Sequence, residues 1–94
     1  MGVQEILVTL GQRIRELRLK RGYSQEAFAD HCGVHRTFMG TVERGESNLS
    51  FSNLVKVSKA LGITLSQLLS GIERRSATMA ETVGRQERRR PKQP

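Results

Sequence analysis

Residues 25–44, QEAFADHCGVHRTFMGTVER, restrict the fold of this chain more than any other stretch. They predict a short helix, a glycine turn and a second helix. The first is expected from about Gln25 to His31, with Ser24 before it as an N-cap whose hydroxyl takes an otherwise unpaired backbone N–H. Its apolar positions are Ala27, Phe28 and Ala29. Gly33 supplies the left-handed conformation in which a helix ends and the chain swings sharply. The second helix is expected from about Arg36 to Arg44, stopping against Gly45. On a wheel of about 100° per residue, Met39 and Val42 mark its buried side. Thr37, Gly40, Thr41 and Arg44 then point roughly the opposite way. That outer face is short, hydroxylic and cationic, with no acid of its own. Such a face suits the major groove of duplex DNA, which admits a helix and offers base acceptors and thymine methyls.

Helical periodicity continues on both sides, and no segment alternates like a strand. Upstream, Leu7, Leu10, Ile14 and Leu17 recur at three- and four-residue steps, with Arg13, Arg15 and Glu16 facing out and Gly22 ending the run. The start is expected near Gln4; a capping box of Thr9 with Gln12 is the alternative. Downstream, Ser50 caps a helix whose core candidates are Phe51, Leu54, Val55, Val57 and Leu61, ending at Gly62. Thr64 and Gln67 form a second capping-box pair, opening a last helix through Leu65, Leu68 and Leu69 to Gly71. The chain is therefore expected to be all-α, with five helices within residues 1–72 and a basic, disordered tail over residues 73–94. A short helix near Met79–Val83 is the alternative for part of that tail.

Charge supports an acidic partner. Lys and Arg number 16 against nine Asp and Glu, for a net charge of +7, of which +3 lies in residues 1–72 and +4 in residues 73–94. Basic proteins are drawn to polyphosphates, and each neutralised phosphate makes affinity more salt-dependent. The single cysteine excludes an internal disulfide. No apolar run approaches the ~20 residues of a membrane span, and Gln4, Glu5 and Thr9 break up the first apolar residues, so a cytoplasmic location is expected. His31, Cys32 and His35 cluster, but the turn at Gly33 breaks helical spacing between the histidines and no fourth ligand is evident, so no metal and no cofactor is assigned. No nucleophile–base arrangement, glycine-rich phosphate loop or paired-carboxylate spacing appears. The serines fall at cap or surface positions, and an enzyme is not expected.

The ordered set of Gln25, Ala29, Gly33, Met39 and Val42, closed by ERGE at Glu43–Glu46, resembles the phage repressor/Cro-type (XRE) helix-turn-helix DNA-binding domain. The resemblance extends over LGQRIRELRLKRGYSQ before it and LSFSNLVKVSKALGITLSQLL after it, about residues 6–72. It implies a compact lambda-repressor-like fold and a sequence-specific transcriptional regulator, a repressor among the possibilities. It also implies base reading from the early residues of the second motif helix, here Arg36 and Thr37. Geometry supports this, because a guanidinium there can bond guanine O6 and N7 together. Thr41, one turn on, can meet a thymine methyl or a phosphate, and Gly40 leaves room for close approach. Gln25 corresponds to a phosphate-binding glutamine of the family, at a helix N-terminus that favours anions in any case. Phe38, Arg44, Ser47 and Asn48 complete the expected backbone contacts.

Glu43 lies about 40° from Met39 on the wheel and Arg18 on the matching flank of the first helix, so the carboxylate needs a partner and Arg18 can supply it. The resemblance implies the same structural pair. It further implies a homodimer engaging half-sites about one helical turn apart on a palindromic operator. Val55, Leu65, Leu68, Leu69 and Ile72 are the candidate interface; the alternative is that the leucines close the monomer's own core. Within the family, RTFMGTVERGESNLSFSNLVKVSKALG is similar to restriction–modification controller proteins at Arg36, Thr37, Phe38, Gly40 and Asn48. His35 departs from the Ser, Thr or Asp common at that cap. The partners expected are double-stranded DNA and a second copy, with no membrane and no small-molecule ligand. An antitoxin or protein-interaction adaptor is the other function class, though its tail should be acidic.

Overall fold

Three hydroxyl caps set where three of the helices begin. The hydroxyls of Ser24, Ser50 and Thr64 accept from the backbone N–H of Ala27, Asn53 and Gln67 at 3.0, 3.1 and 3.0 Å. Each satisfies a donor that the first helical turn leaves without a partner. The structure, a computed structural model, describes residues 2–77. It contains α1 (Val3–Lys20), α2 (Gln25–Cys32), α3 (Arg36–Glu43), α4 (Phe51–Leu61) and α5 (Leu65–Leu69), and residues 72–77 are helical as well. Among the described residues there is no strand. Among those residues, too, no helix is long and apolar enough to cross a membrane.

The core is continuous: Leu10 and Ile14 from α1, Phe28 and Ala29 from α2, Met39 and Val42 from α3, Val57 and Leu61 from α4, with Leu68 and Ile72 closing it. Gly33 has φ 77°, which sets the sharp turn between α2 and α3. Gly11 does something different. A Cβ there would lie 2.4 Å from the carbonyl oxygen of Val42 and 2.7 Å from that of Glu43, so α1 and the end of α3 touch backbone to backbone. At Gly45, φ is 74° and an added Cβ would lie 2.6 Å from Val8 Cα, so the turn after α3 rests on the same helix. Close approach at these two glycines presses α3 onto α1.

Several expectations are corrected by packing. Thr9 does not cap α1; it lies inside that helix, fully buried, and its hydroxyl donates to Glu5 O at 2.9 Å. Helix α1 starts at Val3, one residue from the expected start near Gln4, behind Gly2, whose N–H donates to Glu5 Oε1 at 2.8 Å. Arg13 does not simply face out. Its Nε and Nη2 donate to Leu68 O and Gln67 O, both at 2.7 Å, tying the end of the five-residue α5 to α1. Phe51 was expected in the core but is 68% exposed at the start of α4. Leu68 and Ile72, expected at a dimer face, are 0% and 3% exposed inside the monomer.

Ordered packing also passes the expected boundary at residue 72. Ser76 is fully buried, donating to Thr9 Oγ1 at 2.8 Å, and Arg75 reaches Glu16 at 3.4 Å. These polar contacts, invisible to hydrophobic periodicity, hold 72–77 on α1. Ser58 is buried too, donating to Val55 O at 3.0 Å, so neither serine is a surface residue. The expected tail from residue 78 onward, and the short helix near 79–83, lie outside the described residues.

Candidate nucleic-acid interface

Helix α3 owes its orientation to a buried polar network. Arg18 Nε donates to Glu43 Oε2 at 2.6 Å and Arg18 Nη2 to Glu43 Oε1 at 3.0 Å, a two-pronged pair with side chains 7% and 3% exposed. Arg18 Nη1 donates to Tyr23 O at 2.9 Å, and Gln25 Nε2 donates to Glu43 Oε1 at 3.1 Å. One carboxylate at the end of α3 thus joins α1, the loop before α2 and the first residue of α2. A buried pair of this kind adds little net stability over an apolar substitute, but it fixes geometry, because either charge alone would be stranded.

Above this network lie the expected contact residues. Arg36, Thr37, Arg44 and Asn48 are exposed, and Gln25, Phe38, Thr41 and Ser47 are partly covered. Their surroundings differ from a bare cationic face. Arg36 Nη1 donates to Glu26 Oε2 at 2.8 Å with the side chains 65% and 70% exposed. Arg44 Nε donates to Glu46 Oε2 at 3.1 Å. The outer face of α3 carries no acid of its own, yet Glu26 from α2 and Glu46 from the loop after α3 stand beside Arg36 and Arg44. Exposed pairs like these contribute only about 0–1 kcal/mol. Gly40 is not an open gap: Gln25 Oε1 and Arg44 Nη1 cover it, 3.5 and 3.3 Å from where a Cβ would stand. Thr41 donates to Phe38 O at 2.7 Å and shares a short hydrogen bond with Ser47, so both hydroxyls shape the turn after α3. Phe38 packs against the core.

The histidines and cysteine have other work. His31 stacks on Tyr23 with ring centroids 5.3 Å apart, and Tyr23 also meets Phe28 at 5.6 Å. His35 is the N-cap of α3, its Nδ1 accepting from Thr37 N–H at 3.0 Å in place of a hydroxyl. Cys32 is buried, and burial pushes its thiol up to about 11. Of the residues that matter here, Gly11, Arg13 and Glu26 escape the sequence reading. An isolated glycine inside helical periodicity signals close packing and could have flagged Gly11. Nothing local marks the other two.

A pair of short helices joined by a glycine turn, braced by a third helix and presenting polar side chains from its second member, defines a helix-turn-helix domain. Residues 14–68, more than half of the chain, match the helix-turn-helix family HTH_3, and the chain belongs to that family. It is similar to control protein C.BamHI of Bacillus amyloliquefaciens, 45% identical over 65 residues, which make up 68% of this chain and 80% of that protein. Among solved structures it resembles the restriction-modification controller protein C.AhdI from Aeromonas hydrophila, with TM-score 0.64 and 47% identity, over 66% of this chain and 94% of that one. It also resembles SinR, the master regulator for biofilm formation, solved in complex with DNA, with TM-score 0.61 and 35% identity, over 65% of this chain and 98% of that one.

Proposed function

We propose that this protein is a sequence-specific transcriptional regulator that inserts α3 into the major groove of a palindromic DNA site as a homodimer. The observation that carries the reading is the exposure of Arg36 and Thr37 on α3, and of Arg44 and Asn48 just after it, with the orientation of α3 held by the Arg18–Glu43–Gln25 network. Arg36 reads a base through its planar fork, with Thr37 beside it. Arg44 and Asn48 bind the phosphates flanking the groove, with Gln25 at the N-terminus of α2 beside them. Thr41, Ser47 and Phe38 support the turn, and Gly40 gives Gln25 and Arg44 their space. The protein acts by binding rather than catalysis, in the cytoplasm.

Half-buried Val55 and Leu65, exposed Leu69 and exposed Phe51 offer the apolar surface for a second copy, placing two α3 helices about 34 Å apart. The named relatives favour one subtype, a restriction–modification controller. Selection from a pool of random duplexes, followed by sequencing, tests the whole reading. Enriched half-sites with two-fold symmetry, about 10 base pairs centre to centre, are expected. Recovery of unenriched DNA would overturn it.

A further inference from the structure

The Arg36–Glu26 pair is too exposed to matter much for the fold, yet it sits where the proposed reading begins. Glu26 lies in the first turn of α2, where a carboxylate is favoured by the helix dipole. It reaches across to the first residue of α3, and together with Asp30 and His35 it lines an open cleft of about 410 Å³ between the two helices. Among the described residues its Oε2 accepts from Arg36 Nη1. The Nε–Nη2 edge of that guanidinium therefore has no partner among the described residues. This is the same edge with which Arg18 grips Glu43 in the interior.

We propose that Glu26 is a specificity-determining residue: it holds Arg36 by Nη1 so that the Nε–Nη2 edge meets guanine O6 and N7, and its charge keeps the arginine off neighbouring phosphates. Two physical reasons combine. A guanidinium anchored at one nitrogen loses less side-chain freedom when it makes a two-pronged contact, and that contact is what discriminates bases. An arginine released from its carboxylate finds phosphate oxygens equally attractive, and those carry no sequence information. A carboxylate beside the groove repels phosphate as well, weakening binding to the wrong sequence more than to the right one. His35 contributes by fixing the backbone from which Arg36 projects.

The inference rests on Arg36 reading a base, so the experiment separates the two. The full chain is titrated against the selected duplex and its single-base-pair variants over a range of salt, using Glu26→Gln, Arg36→Ala and the double substitution. Glu26→Gln/Asp30→Asn is included because Asp30 lines the same cleft and can substitute as an anchor. Arg36→Ala should flatten preference at one base pair. At that base pair Glu26→Gln, alone or with Asp30→Asn, should cut discrimination by about fivefold or more, the lower end of what a two-pronged arginine supplies. The slope of log K against log salt should steepen by about 0.9, one extra phosphate contact, while the melting temperature stays unchanged. In the Arg36→Ala background, Glu26→Gln should change discrimination no further. If Arg36→Ala flattens preference but neither Glu26 variant does, or if they shift all sequences equally, Glu26 has no such role and the Arg36 reading stands. If Arg36→Ala leaves every preference intact, that reading falls, and the role of Glu26 falls with it.

Discussion

Replacing Glu43 with alanine should strongly destabilise this domain, because the carboxylate is buried against a buried guanidinium. Glu43 accepts three hydrogen bonds, two from Arg18 and one from Gln25. Its removal leaves a guanidinium that is 7% exposed with a single bond, to Tyr23 O, and no counter-charge. Breaking one side of such a pair costs about 3–5 kcal/mol. A domain of this size has a total of about 4–11 kcal/mol, from about 0.05–0.15 kcal/mol per residue. The single variant therefore loses from about a quarter to all of its stability. The double variant Arg18→Met/Glu43→Leu strands no charge and should lie within about 1–2 kcal/mol of the parent, since buried pairs replaced by apolar groups are often near neutral. Urea titration of the parent, both singles and the double, followed by far-ultraviolet circular dichroism, gives the cycle. A loss below about 1 kcal/mol for Glu43→Ala, or a double equal to the sum of the singles, would refute the argument. DNA binding provides a second readout: the folded double variant should bind more weakly, because Gln25 and α3 have lost their shared anchor.

Gly11→Ala should destabilise by about 1–3 kcal/mol although alanine is the better helix former, because the added carbon would stand 2.4 Å from Val42 O; a thermal midpoint at or above the parent's would show that α1 and α3 separate freely. Burial raises the Cys32 thiol from 9.0 to about 11, so the unfolded chain loses that proton first. The associated stability is fully present below pH 9 and lost as pH rises through about 11. Denaturation midpoints across that window should fall for the parent more than for Cys32→Ala; parallel curves would contradict the assignment. Leu69→Glu should weaken self-association in sedimentation without lowering the melting temperature, since Leu69 is 39% exposed; unchanged mass would place the dimer face elsewhere.

Most of the element boundaries were legible because they are local events. Ser24, Gly33, Ser50, Gly62, Thr64 and Gln67 act within one turn of themselves, and a side chain's nearest backbone is set by chain connectivity alone. Met39 and Val42 are likewise buried where a helical period places them. The candidate pair of Arg18 and Glu43 follows from the cost of burying a carboxylate on a core-facing flank.

Contacts that depend on how helices cross could not be read this way. Phe51 stands in the apolar phase of α4 yet faces out, while Leu68 and Ile72, equally apolar, turn inward. Periodicity says which residues share a face, not whether another element covers it. The clasp of Ser76 on Thr9, the cap that Arg13 places on α5, and the carboxylates beside Arg36 and Arg44 all join groups by direction and distance. A polar side chain acts over about 3 Å, and residues separated by tens of positions come within that reach only once the backbone has folded. The sequence alone thus determined the helices, the turn between α2 and α3 and the chemistry of the outer face. Tertiary packing, through the close approach at Gly11 and Gly45, decided the pitch of that face and which neighbour holds each arginine.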